Sequence, residues 1–148
     1  MSHRTDRVGN LRSLYTALVD SRNGYQEALV DAEGQGMTPL FREMISLHDQ
    51  NTAELKRHLS TLGTVADDDG SFMLSVHKTI INVRSLFGGL DKNILPGLID
   101  GEQRILGYYD EALKTSPLDT PEYSALMNQS QGLRSKIADW KRDIEKAA

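Results

Sequence analysis

Apolar residues recur every three or four positions along almost the whole chain, and no stretch sustains the period-two alternation of a half-buried strand, so the pattern predicts an all-α protein. Five helices are expected, at about residues 8–32, 39–62, 71–87, 93–115 and 121–146. The first carries Leu11, Leu14, Leu18, Tyr25, Leu29 and Ala32 on one side and stops at Gly34 and Gly36. The second opens at "TPLF", where Thr38 is expected as the cap and Pro39 fits the first turn, whose N–H groups lack helical partners. It ends at Gly63. A polar stretch, "GTVADDDGS", precedes a shorter helix with Phe72, Val76, Ile80, Val83 and Phe87 inward, closed by Gly88 and Gly89. The fourth helix, with Asn93 as the expected cap, turns Leu98, Ile105, Tyr109 and Ala112 inward. The fifth repeats the cap-proline signal at Thr120 and Pro121, followed by Leu126, Leu133, Ile137, Trp140 and Ile144.

Connection lengths arrange these elements. The short links at 33–37 and 116–119 make the first pair and the last pair antiparallel hairpins. Residues 63–92 are long enough to cross a bundle lengthwise, since a helix of that middle segment's size spans about 25 Å. The expected architecture is a four-helix bundle with a long crossover containing an extra short helix, the connection of ferritin-like bundles; an up-and-down arrangement of five helices is the alternative.

Polar residues interrupt the buried stripes near mid-helix. At about 100° per residue, the stripe of the first helix passes through Arg22, that of the second through His48 and Thr52, that of the fourth through Glu102 and that of the fifth through Ser130. All five fall near one level of the bundle, and two kinds of chemistry place polar groups there. One is a structural layer in which Glu102 pairs with Arg22 while His48, Thr52 and Ser130 satisfy the remaining donors and acceptors. The other is a metal centre, for which His48 and Glu102 are the candidate ligands. The dinuclear type needs a Glu from each of two helices and a Glu-x-x-His from each of the others. Here Ile45 stands three residues before His48, and Arg22 places a cation where a ligand belongs.

Composition narrows the functional classes. The chain has no cysteine, which excludes disulfides, thiolate metal sites and thiol nucleophiles. Its net charge is −4, and no Lys/Arg-rich block stands out, so a nucleic-acid surface is not expected. The start lacks an apolar signal region and no apolar run approaches a membrane span, which predicts a cytoplasmic location and no membrane partner. His3, His58 and His77 form no pair at ligand spacing, the three Asp at 67–69 read as a solvated loop, and "FGGLDKN" lacks a phosphate-loop signature. No serine sits on a hydrolase elbow. Tyr25 and Tyr109 read as core residues with hydroxyls reaching the bundle end.

The segments "LRSLYTALVDSRNGYQEALVDAE", "LFREMISLHDQNTAELKRHLSTLG", "DGSFMLSVHK" and "LPGLIDGEQRILGYYDEALK", in that order, resemble a bacterial family of ferritin-like four-helix bundles of unassigned function, distantly related to rubrerythrins. The resemblance spans about residues 9–146 and implies the same crossover topology. Members of that family often keep a His in the last helix, where this chain has Ile137. The expected function is therefore a non-catalytic bundle with a structural or partner-binding role, with no catalytic residues and no cofactor. A metal-handling protein binding iron through Glu102 and His48 is the alternative. Val19, Val30, Leu47, Ile99 and Leu106 flank the main stripes, which predicts a homodimer through the first or second helix.

Overall fold

The computed structural model describes residues 2–32, 37–64 and 94–147, the side chains of 2–5, 30–32 and 147 excepted. These residues form four α-helices: α1 (Ser2–Ala32), α2 (Thr38–Thr61), α3 (Leu95–Thr115) and α4 (Pro121–Ala147). No strand occurs among them. The helix expected at 71–87, with its inward residues and His77, lies outside the described residues, as does Asn93.

Helix boundaries show which local signals acted. Thr120 caps α4 as expected: its hydroxyl accepts from the Tyr123 N–H at 3.2 Å. Thr38 does not cap α2. It is the first helical residue, Pro39 follows in the first turn, and Met37 occupies the preceding position. Pro96 sits likewise in the first turn of α3, after Ile94. The first helix begins at Ser2 rather than near residue 8. The apolar pattern is silent over "SHRTDR", and what holds this turn is a long-range ion pair from Arg7 to α4.

The C-terminus of α2 is closed by paired backbone bonds: Thr64 N–H to Leu59 O and Gly63 N–H to Ser60 O, both 3.0 Å. This is the Schellman arrangement, which needs a left-handed residue between them. Gly63 supplies it at φ 80°, the one positive φ among the described residues.

Side-chain pairs fix the helix directions. Tyr25 meets Phe41 while Arg22 meets Asp49, so α1 and α2 are antiparallel. Asn10 reaches Glu111 and Thr115 while Ser21 reaches Glu102, so α1 and α3 are antiparallel too. Glu43 pairs with Lys136 and Glu54 with Gln129, which runs α2 against α4. The turn at 116–120 folds α4 back on α3. It follows that α2 and α3 run in the same direction, with Thr64 and Ile94 at opposite ends of the bundle.

Around the bundle the helices pack α1 on α2, α1 on α3, α3 on α4 and α2 on α4. The diagonal pairs, α2 with α3 and α1 with α4, make no close backbone approach. Leu11, Leu14, Leu18, Phe41, Met44, Leu55, Leu59, Leu98, Ile105, Leu126, Leu133 and Trp140 fill the space between. Of the flanking residues expected to form a dimer surface, Ile99 is buried, and Val19, Leu47 and Leu106 are partly buried against this core. The side chain of Val30 lies outside the described residues.

Replacing Gly63 with Ala forces a side chain into the left-handed region and is expected to lower unfolding stability by about 1–2 kcal/mol. Urea denaturation measures it, and an unchanged midpoint would contradict the role given to this residue.

Candidate functional site

The bundle centre holds a carboxylate and an imidazole with no exposure to solvent. Glu102 of α3 and His48 of α2 are both 0% exposed, and His48 Nε2 lies 3.0 Å from Glu102 Oε1. The two helices are a diagonal pair, so this contact lies on the bundle axis. From α1, Ser21 Oγ donates to the same oxygen at 3.2 Å and the Tyr25 hydroxyl at 3.1 Å. Three groups from two helices therefore converge on Glu102 Oε1. Among the described residues, Glu102 Oε2 and His48 Nδ1 are buried with no hydrogen-bond partner.

Packing holds this constellation still. The Tyr25 ring stands edge-on to Phe41, with centroids 5.4 Å apart and planes at 70°. Its other neighbour is the His48 ring, stacked at 6.1 Å and 28°. Burial raises the Tyr25 hydroxyl well above its ordinary pKa, and the charge of Glu102 and the bond to it add in the same direction. Tyr25 is thus a hydrogen donor throughout the working pH range.

A second polar cluster sits beside the first. The Tyr109 hydroxyl donates to Gln129 Oε1 at 2.8 Å, and Gln129 Nε2 donates to Glu54 Oε1 at 2.7 Å and to the Asn51 carbonyl at 3.4 Å. Burial, followed by the charge of Glu102, pushes the Tyr109 hydroxyl strongly upward. These bonds tie α3 to α4 and α4 to α2.

Of the five residues expected in the polar layer, His48 and Glu102 meet and three do not join them. Arg22 is not Glu102's partner: its guanidinium turns outward to Asp49 Oδ1 at 2.9 Å, with about a third of the side chain exposed (32%). Thr52 donates to the Asp49 carbonyl of its own helix at 3.1 Å. Ser130 is buried but donates to the Met127 carbonyl at 3.0 Å. In each case a nearby acceptor satisfies the group without crossing the core. The layer instead recruits Ser21, Tyr25, Asn51, Tyr109 and Gln129. Both tyrosine hydroxyls point into the interior and not to the bundle end. Ser21 and Asn51 were detectable as the i+3 positions from Leu18 and His48, where the i+4 positions are Arg22 and Thr52.

A third cluster closes one end of the bundle. Arg7 binds Glu122 through Nε and Nη2, at 2.9 and 2.5 Å, and Ser116 Oγ donates to the same carboxylate at 2.5 Å. Burial works against the charged carboxylate, but the bonds from Arg7 and Ser116 and the charges of Arg7 and His58 outweigh it, so Glu122 titrates below its ordinary range.

Residues 6–115 match the family described as Domain of unknown function (DUF2383). The chain belongs to the DUF2383 family. No curated protein and no solved structure matches it. The DUF2383 match includes Ser21, Tyr25, His48 and Glu102, the whole axial layer, and leaves Glu122 and Gln129 of α4 outside it.

The residues of this DUF2383 chain do not fit a carboxylate-bridged dinuclear centre. Such a centre draws Glu and His from all four helices. Here Ile45 stands three before His48, Ser21 and Tyr25 are what α1 sets against Glu102, and Ile137 is buried in α4. Among the described residues, no group of three or more His, Asp or Glu converges in a way that could hold a metal. No helix among them is long and apolar enough to cross a membrane.

Two outcomes follow from this geometry. Glu102→Leu removes the shared partner of His48, Ser21 and Tyr25 and should cost on the order of 1–3 kcal/mol for each group left unsatisfied. Arg22→Met, which breaks only an exposed pair, should cost at most about 1 kcal/mol, and the two changes should add in denaturant unfolding. Strong coupling between them would contradict the outward placement of Arg22.

Glu122 contributes to the acid limb of stability. A carboxylate whose folded pKa is depressed contributes stability that is present above its unfolded value, about 4.3, and is lost as pH falls through the folded value. Glu122→Gln should therefore lower stability at pH 7 and flatten the decline below about pH 4.3. Melts from pH 2 to 7 check this, and an identical acid limb in both proteins would refute it.

Proposed function

We propose that this chain is a non-catalytic, ferritin-like four-helix bundle with a structural or partner-binding role, and that its buried His48–Glu102 layer serves the fold. The carrying observation is the convergence of Ser21, Tyr25 and His48 on one oxygen of a fully buried carboxylate. Both axial side chains are 0% exposed, so a substrate has no route to them without opening the bundle. The shared direction of α2 and α3, with residues 65–93 between opposite bundle ends, supports the ferritin-like reading.

A second reading has one observation in its favour. Glu102 Oε2 and His48 Nδ1 are left over, buried and without partners among the described residues. A metal-handling protein would use these two residues as ligands, one oxygen and one nitrogen donor of the types that suit iron or manganese.

Elemental analysis of protein purified without chelator separates the two. The structural reading expects iron, manganese and zinc well below one per chain and a melting temperature that chelator leaves unchanged. A stoichiometric metal together with a melting temperature that falls on chelation would replace it with the second reading.

A further inference from the structure

We propose that a hollow at one end of the bundle, separate from the axial layer, is a binding site for a small organic ammonium ion: a primary amine carried on a short apolar body.

The hollow lies where the first turns of α2 and α3 meet the C-terminal half of α4, and its volume is about 370 Å³. Small-ligand sites occupy roughly 300–1,000 Å³. None of its lining residues belongs to the axial layer. Met37, Leu95 and Trp140 form its floor, each at most 3% exposed. The floor is therefore the outer surface of packed core, in place before any ligand arrives. Pro39, exposed, and Leu40, half-buried, carry the apolar surface up the α2 wall.

The α4 wall is charged. Lys136, Asp139, Trp140 and Asp143 follow at the spacing of three and four that sets side chains on one face of a helix, so two carboxylates flank the indole. Glu43 of α2 adds a third, and Lys136 is the one cation among the lining residues. That cation is already engaged, because it pairs with Glu43 between α2 and α4. Asp139 pairs with Arg142, which does not line the hollow and whose side chain is 61% exposed. Asp143 is exposed and makes no ion pair among the described residues. With both pairs counted, the charge left over at the rim is negative and sits at Asp143.

Charge and floor together select the ligand. An anion is repelled by the rim, a bare metal ion gains nothing from the floor, and a neutral apolar molecule leaves the rim unused. A primary ammonium carries three N–H donors for carboxylates one helical turn apart, while its apolar body covers the floor.

Trp140 is the single tryptophan of the chain, so its emission reports on the hollow without background. Hexylammonium chloride is the probe. Hexanol supplies the same body without the charge, and methylammonium the charge without the body. Hexylammonium should change the Trp140 emission and move its indole N–H resonance saturably, with a Kd on the order of 1 mM, and both controls should bind more weakly. Asp139→Asn with Asp143→Asn should weaken binding about tenfold, the loss of two exposed charge contacts, and Asp143→Asn alone should weaken it by less. Lys136→Met removes the competing cation and should tighten it. Glu111→Gln, at an exposed carboxylate near the far end of α3, should leave it unchanged. No saturable response, a control that binds as tightly as hexylammonium, or a double Asp variant that binds as well as the unmodified protein overturns the proposal. Nα-acetyl-lysine amide, with a bulky polar group on its stem, should bind more weakly than hexylammonium; tighter binding would make the ligand a lysine of a partner protein and overturn the assignment to a free amine.

Discussion

The arrangement of this bundle turns on a carboxylate that has been taken fully out of water. Removing Glu102 from solvent is costly, and the cost is offset only where Ser21, Tyr25 and His48 arrive together at its Oε1 atom. Those three residues come from α1 and α2, which the long connection of residues 65–93 separates in sequence from α3. The surrounding core must therefore bring α1 alongside α3 and α2 across the diagonal before the charge is satisfied. Stacking of Tyr25 on His48, and of Phe41 on the edge of Tyr25, makes the polar and apolar parts of the centre one packed unit.

Most of the architecture was legible from spacing. The all-α class, the limits of α2, α3 and α4 to within a residue or two, the Thr120 cap and the Gly63 stop all follow from periodicity and terminal chemistry. The start of α1 was not, because its first turns lack an apolar pattern and are held by Arg7 reaching a residue 115 positions away. Local rules carry no information about such a partner.

The candidate site was half legible, for a geometric reason. A helix advances about 100° per residue, so positions three and four beyond a buried residue fall on opposite sides of the stripe. Periodicity cannot choose between Ser21 and Arg22, or between Asn51 and Thr52. Chemistry decides: the long, always-charged side chain of Arg22 reaches Asp49 and water, and the short hydroxyl of Ser21 is left to face the interior. The inward turn of the two tyrosine hydroxyls was hidden for a related reason, since a core tyrosine reveals its ring by spacing but not the direction of its oxygen.

The connectivity of the contacts also separates local closure from long-range closure. Each hairpin, α1 with α2 and α3 with α4, closes over a short link, so its internal packing can form early and at little entropic cost. The bonds that join one hairpin to the other span far more chain: 54 residues for His48 and Glu102, 81 for Ser21 and Glu102, 115 for Arg7 and Glu122. Glu102 gains Ser21, Tyr25 and His48 only when the two hairpins meet, so its removal from water is a property of the whole bundle and of neither hairpin by itself.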